Sequence, residues 1–226
     1  MLVEKTSSKL REFFNSGIWT EMLGIKVAEI EDYHRKEAEW LRHYVVDNGY
    51  RKVLDIGCGT GESIAPLSDL DISIVGVDIA ENQLSIARSR FNSNPRIELL
   101  NYDASQLPEA WTDSFDLAYC IGAGFGNLED LQLLVLKNML RVTKKEGSVV
   151  LSVYSERARK AQREWYTKQG LEIQDVNDYV TFLKTGIVSE RFTKEKLHHL
   201  GEMVNARVEI IELTPIAYMA IFHQKV

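Results

Sequence analysis

The chain has 226 residues, 45% hydrophobic and 27% charged, with 27 Lys plus Arg against 33 Asp plus Glu and a formal net charge of -6. That length encloses a core without staples, and the composition is that of a soluble globular domain. The acidic balance argues against non-specific binding to nucleic acid or anionic lipid, and two cysteines, Cys58 and Cys120, exclude a disulfide framework or a four-cysteine zinc site. No signal-peptide h-region opens the sequence and no run approaches the ~18 apolar residues of a membrane span. A cytoplasmic protein with no metal centre and no membrane contact is expected.

Residues 1–50 read as a helical cap, in which Trp40, Leu41, Tyr44 and Val45 form an apolar stripe ended by Asp47-Asn48-Gly49. From Lys52 the period changes. Residues 53–56 form a short buried strand running into a glycine-rich turn; 73–78, 97–100, 115–121 and 147–154 read as four more. Helical stretches lie between, at 82–91 and 128–141. Such alternation predicts right-handed βαβ crossovers and a parallel sheet, with ligands beyond the C-terminal ends of its strands.

Further on, 171–176, 179–184 and 187–192 read as three short strands turning at Asn177-Asp178 and Thr185-Gly186, before a helix capped by Thr193. The strands 207–213 and 216–223 are separated by Thr214-Pro215 alone. That link is too short for a parallel crossover, so the pair is an antiparallel hairpin. The expected fold is a single α/β domain, a three-layer αβα sandwich. Its mostly parallel seven-stranded sheet closes with the antiparallel C-terminal hairpin, and a small antiparallel β insertion is added. Residues 51–154 are its ligand-binding core, 155–200 an insertion over the acceptor, and 201–226 the closing hairpin.

The strongest motif is Val53-Leu54-Asp55-Ile56-Gly57-Cys58-Gly59-Thr60-Gly61. Alternate glycines let the backbone turn sharply and approach a ligand closely. The spacing is not the G-x-G-x-x-G of dinucleotide binders, because position 62 is Glu. Asp55 ahead of the glycines repels a pyrophosphate but suits a cationic amine or sulfonium. Asp78 ends the second strand, where an acid accepts from both ribose hydroxyls. Asp103 follows the third strand and suits an exocyclic adenine amine. Three acids on one sheet edge match a positively charged adenosine without phosphate, S-adenosylmethionine.

With these residues the sequence resembles the class I (Rossmann-like) S-adenosylmethionine-dependent methyltransferases of small-molecule type. Val53 to Gly61, Val75 to Asp78, Tyr102-Asp103-Ala104 and Phe115 to Cys120 resemble their first four motifs. The resemblance implies that Asp55, Gly57, Cys58, Gly59 and Gly61 surround the methionine part and that Asp78 holds the ribose. It further implies Ile79 on the adenine, Asp103 and Ala104 at its edge, Cys120 and Ile121 beneath the sulfonium, and Tyr33 or Arg35 at the cofactor carboxylate. S-adenosylhomocysteine is then the product.

The flexible loop Ile121 to Leu128 follows the fourth strand and is the natural acceptor site, with Phe125 and Asn127 as candidate contacts. It lacks the Asn- or Asp-Pro-Pro-aromatic signature of nucleobase amino methyltransferases and is similar to the loops of small-molecule N-methyltransferases. Methyl transfer asks mainly for positioning and water exclusion, and a base only for a protonated acceptor. Tyr154 and His34 are the candidates for such a group, with His198 and His199 behind them. Arg191 is a candidate carboxylate anchor, and Trp165 and Tyr166 are candidates for the pocket wall. The 171–192 meander either caps the acceptor pocket or pairs two subunits in a homodimer. The expected activity is methyl transfer to a small molecule at N or O. The alternatives are a tRNA or rRNA methyltransferase using the basic run from Arg157 to Arg163, a nicotinamide oxidoreductase, and a non-catalytic cofactor-binding subunit.

Overall fold

The computed structural model describes residues 2–17 and 25–225. Helices α1 (Leu2–Asn15) and α2 (Ala28–Asp47) precede the first strand, so the helical cap comes in separate pieces. Its first break has a local cause: Gly17 takes φ +82°, which no helix accommodates, and Val27 enters α2 extended.

Strands β1 (Lys52–Ile56), β2 (Ser73–Asp78), β3 (Ile97–Asn101), β4 (Phe115–Cys120) and β5 (Thr143–Ser155) run parallel in the order β3-β2-β1-β4-β5. Helix α3 (Glu81–Phe91) follows β2, and α4 (Gln132–Val142) leads into β5. The strand order reverses between β1 and β4, where an open α/β sheet forms its ligand crevice. Strand β5 begins at Thr143 rather than 147, and a register shift between Phe115 and Leu117 absorbs the extra residues. Gly147 is needed there, because a Cβ would lie 2.4 Å from the Asp116 carbonyl oxygen.

After helix α5 (Arg159–Lys168) come β6 (Ile173–Val176), β7 (Tyr179–Phe182) and β8 (Val188–Phe192), an antiparallel meander. Helix α6 (Lys194–Met203), capped by the Thr193 hydroxyl, leads to β9 (Ala206–Thr214) and β10 (Ala217–Gln224). The latter two form the expected hairpin, with β10 antiparallel to β5. The meander is not separate from the main sheet. Strand β8 pairs with the tip of β5, Tyr154 with Arg191 and Ser155 with Phe192, which gives one ten-stranded sheet. The reason is length: β4 ends at Cys120 opposite Leu151, and the backbone of β5 beyond it needs partners, which β8 supplies.

Alternation along the strands feeds two cores. Leu54, Val75, Ala118 and Leu151 face α4 residues such as Val135 and Met139, while Val53, Ile74, Leu117 and Val150 face Leu41 and Leu84 of α2 and α3. No described helix is long and apolar enough to cross a membrane.

Candidate active site

The turn after β1 is built on three glycines at positive φ, Gly57 (+72°), Gly59 (+51°) and Gly61 (+85°). Its amides at Gly57 and Cys58 both donate to the Val77 carbonyl, at 2.8 and 3.0 Å, which ties the loop to β2. A Cβ on Gly57 would meet nothing within 4 Å, so this stretch of backbone lies open to a ligand. Gly61 differs. A Cβ there would come within 2.4 Å of the Phe91 ring, so this glycine serves close packing of the loop on α3 and does not line the cavity.

The strand-end acids take distinct positions. Asp78 accepts from the Gly59 amide on Oδ2 and the Ala80 amide on Oδ1, each at 2.8 Å, and so locks the glycine loop to the start of α3. Burial pushes its carboxyl up, against the opposing pull of those amides. Asp103 accepts from the Ser105 amide and hydroxyl on Oδ1 as the cap of a 3-10 turn at Ala104–Gln106. Asp55 is 1% exposed and lies beneath the loop, where it accepts from the Ser63 hydroxyl. Burial pushes its carboxyl up to about 8, and the neighbouring Asp78 and Glu37 charges add to that.

These elements border a cavity of about 620 Å³, within the range of small-molecule sites. Gly57, Cys58, Gly59, Asp78 and Ile79 line one part, with Asp103 and Ala104 beside them. Cys120, Ile121 and Gly122 carry the wall past β4. His34, Asn127, Leu128 and Trp165 continue it, with the exposed His34 ring edge-on to Trp165 at 6.2 Å. Helix α1 adds Ser7, Leu10 and Phe14. It is clasped in place by Thr6 to Asp130 at 2.8 Å, by the Lys9–Glu129 ion pair, and by the Asn82 amide on the Asn15 carbonyl. Burial pushes both cavity thiols, Cys58 and Cys120, well above their ordinary range, as suits packing residues rather than nucleophiles.

Several sequence candidates lie elsewhere. Tyr33 is fully buried, its hydroxyl donating to Glu37 at 2.8 Å, so it is a support for the site and not a wall of it. Tyr154 is 1% exposed, its hydroxyl has no hydrogen-bond partner among the described residues, and it does not line the cavity, which speaks against it as a base. Phe125 is buried against Phe192. Arg191 is no carboxylate anchor for a ligand, because Asp175 at 2.7 Å and Gln162 at 2.7 Å occupy it inside the insertion. Tyr166 donates to Ser189 in the same cluster. Arg35 does line the cavity, yet it is paired with Asp32 and Glu39 on the surface of α2. His198 and His199 sit on the exposed side of α6, away from the cavity.

Two expectations about loops change as well. The 121–128 segment is a braced turn, with a 3-10 turn at Gly124–Asn127. Asn127 donates to the Val188 carbonyl, Gln132 to Glu190, and a Cβ on Gly126 would lie 2.9 Å from the Glu190 carbonyl oxygen. No residue of the 171–192 meander lines the cavity. Its β8 instead supports the loop that does. The arginines of the basic run are ion-paired, Arg157 with Glu212 and both Arg159 and Arg163 with Asp175.

The sequence pattern overlooked Glu37. This residue is 5% exposed, lines the cavity, and accepts on Oε1 from Tyr33, from Ser152 and from the Gly122 amide at 2.9 Å. A signal existed: Ile30, Tyr33, Glu37, Leu41 and Val45 are one buried face of α2 at helical spacing, and a carboxylate in such a row needs partners. Ser7, whose buried hydroxyl has no partner among the described residues, and the rest of the α1 wall carried no such signal.

Residues 53–147 match the family model of a methyltransferase domain. Demethylmenaquinone methyltransferase of Staphylococcus aureus is 37% identical over 117 residues, 49% of this chain and 47% of that relative, so the chain matches about half the length of that relative. Among solved structures, 1,6-didemethyltoxoflavin-N1-methyltransferase of Burkholderia thailandensis superposes with a TM-score of 0.71 at 15% identity, over 99% of this chain and 91% of that one. Magnesium protoporphyrin IX methyltransferase of Synechocystis superposes at 0.68 and 13% identity, over 96% and 99%. Residues 53–147 thus match a methyltransferase domain, and the fold of the chain is shared with solved methyltransferases.

Proposed function

We propose that this chain binds S-adenosylmethionine in the cavity and transfers its methyl group to a small-molecule acceptor at nitrogen or oxygen. The observation that carries the reading is the gathering of the open glycine turn, Asp78, Asp103 and the residues after β4 around one cavity of about 620 Å³. The donor set fits the cofactor. Backbone without a Cβ at Gly57 admits close approach, and carboxylates at the ends of β2 and β3 suit hydroxyl and amine donors. Asp78 would hold the ribose, Ile79 and Ala104 the adenine faces, and the Gly57–Gly59 backbone the methionine part. Asp55 would act from below by fixing the loop through Ser63.

When bound, the cofactor supplies an electrophilic methyl group on a sulfonium. The chain's own contribution is orientation and exclusion of water. Cys120 and Ile121 give the cavity an apolar lining, to which Leu10, Phe14 and Leu128 add. Arg157, Arg159 and Arg163 are held by acids, which disfavours an RNA substrate. Two free buried thiols suit a reducing compartment such as the cytoplasm. Calorimetric titration with S-adenosylhomocysteine tests the reading: one site per chain with micromolar affinity is expected. No binding by protein shown to be folded overturns it.

A further inference from the structure

Glu37 is held in an unusual way. Among the described residues its hydrogen bonds all fall on one oxygen, Oε1, from the Tyr33 phenol, the Ser152 hydroxyl and the Gly122 amide. Oε2 takes none, while the residue lines the cavity. Every donor to it is uncharged, so a carboxylate 5% exposed stands without a compensating cation from these partners. A buried charge in that condition attracts a cation strongly. The other charged groups of the wall are already engaged: Arg35 with Asp32 and Glu39, Glu62 with Arg90, Asp78 and Asp103 with backbone amides.

Position separates Glu37 from the acids assigned to the cofactor. Asp78 and Asp103 stand at the ends of β2 and β3, and the glycine turn follows β1. Glu37 is tethered to Ser152 of β5 and to Gly122 just past β4, on the other side of β1 in the strand order. The wall there continues into His34, Asn127, Leu128 and the buried Trp165, a partly aromatic surface for the body of a small ligand.

We propose that Glu37 receives the amino group of the methyl acceptor on Oε2, so that the acceptor is a small amine rather than a carboxylate; this rests on the functional reading above. The Tyr33, Ser152 and Gly122 contacts aim the carboxylate, and removing its charge abolishes the preference for cationic over anionic ligands.

The test is calorimetry on the full chain saturated with S-adenosylhomocysteine, with benzylamine and benzoate as probes. Wild type is expected to bind benzylamine about tenfold or more tighter than benzoate. Glu37→Gln is expected to abolish that preference and to keep S-adenosylhomocysteine affinity within about twofold. Ser152→Ala retains the charge but loosens its aim, and is expected to weaken benzylamine binding by about threefold or more. It also provides the comparison if Glu37→Gln does not fold. The proposal is overturned by failure of wild type to bind benzylamine, by equal benzylamine binding in wild type and both variants, or by an equal loss of S-adenosylhomocysteine affinity in Glu37→Gln. In the last case the carboxylate serves the cofactor. Failure of wild type to bind S-adenosylhomocysteine at all refutes the functional reading itself.

Discussion

Replacing Asp78 by Asn isolates the contribution of its charge to the cofactor site. Its two oxygens each accept a backbone amide at 2.8 Å, one from Gly59 and one from Ala80. Asn keeps a single carbonyl oxygen and turns an NH2 toward the other amide, donor against donor. Asn also lacks the charge that a ribose hydroxyl would donate to, and losing one charge-assisted hydrogen bond to the ligand costs about 1.5–3 kcal/mol. The glycine loop keeps its tie to β2 through the Gly57 and Cys58 amides on the Val77 carbonyl, so the variant is expected to fold. Since 1.4 kcal/mol is a factor of ten, S-adenosylhomocysteine affinity is expected to fall by about tenfold or more. The assay is calorimetric titration of the variant beside wild type, with denaturant unfolding to establish that the variant is folded. A folded Asp78→Asn protein with wild-type affinity would refute the assignment of this carboxylate to the cofactor.

Other perturbations separate support from site. Asp55 binds a proton in the folded chain up to about pH 8 but only to about 3.8 when unfolded, so stability from this group is full below 3.8 and declines as pH rises to 8. Asp55→Asn should remove that decline, and denaturant unfolding at pH 5 and pH 8 that runs parallel for both proteins contradicts it. Arg191→Ala leaves Asp175 to Arg159 and Arg163 alone and the Gln162 side-chain oxygen without its donor, and should cost about 1.5–3 kcal/mol of stability. Its S-adenosylhomocysteine affinity, measured below the unfolding transition, should match wild type, because Arg191 does not line the cavity. Tyr154→Phe removes a buried hydroxyl that has no partner among the described residues, and thermal melts should show it as stable as wild type or more so by about 1–3 kcal/mol. Loss of turnover in that variant would restore Tyr154 as a catalytic candidate.

The parallel core was legible because its information is local. A strand buried on both faces reads as a short apolar run, as at 53–56 and 73–78, and a two-residue link such as Thr214-Pro215 has only one geometric solution. The glycine turn was legible for the same reason, since alternate glycines dictate a backbone path that no distant contact needs to specify. Even so, the roles within that motif divided on packing: Gly57 opens to the cavity, whereas Gly61 makes room for Phe91, thirty positions along the chain.

The walls of the cavity were decided by tertiary structure. Tyr154 and Arg191 are polar residues at strand ends, the places where ligands bind in such folds, and only the pairing of β8 with the tip of β5 turned them inward. The same pairing made the loop after β4 a braced turn instead of a mobile one. Glu37 acquired its position through Ser152 and Gly122, both more than eighty residues away in sequence. Periodicity and motif spacing report which face of an element is buried and where the backbone bends. Which side chains converge on one cavity depends on contacts between residues far apart in the chain, and these exist only once the sheet has assembled.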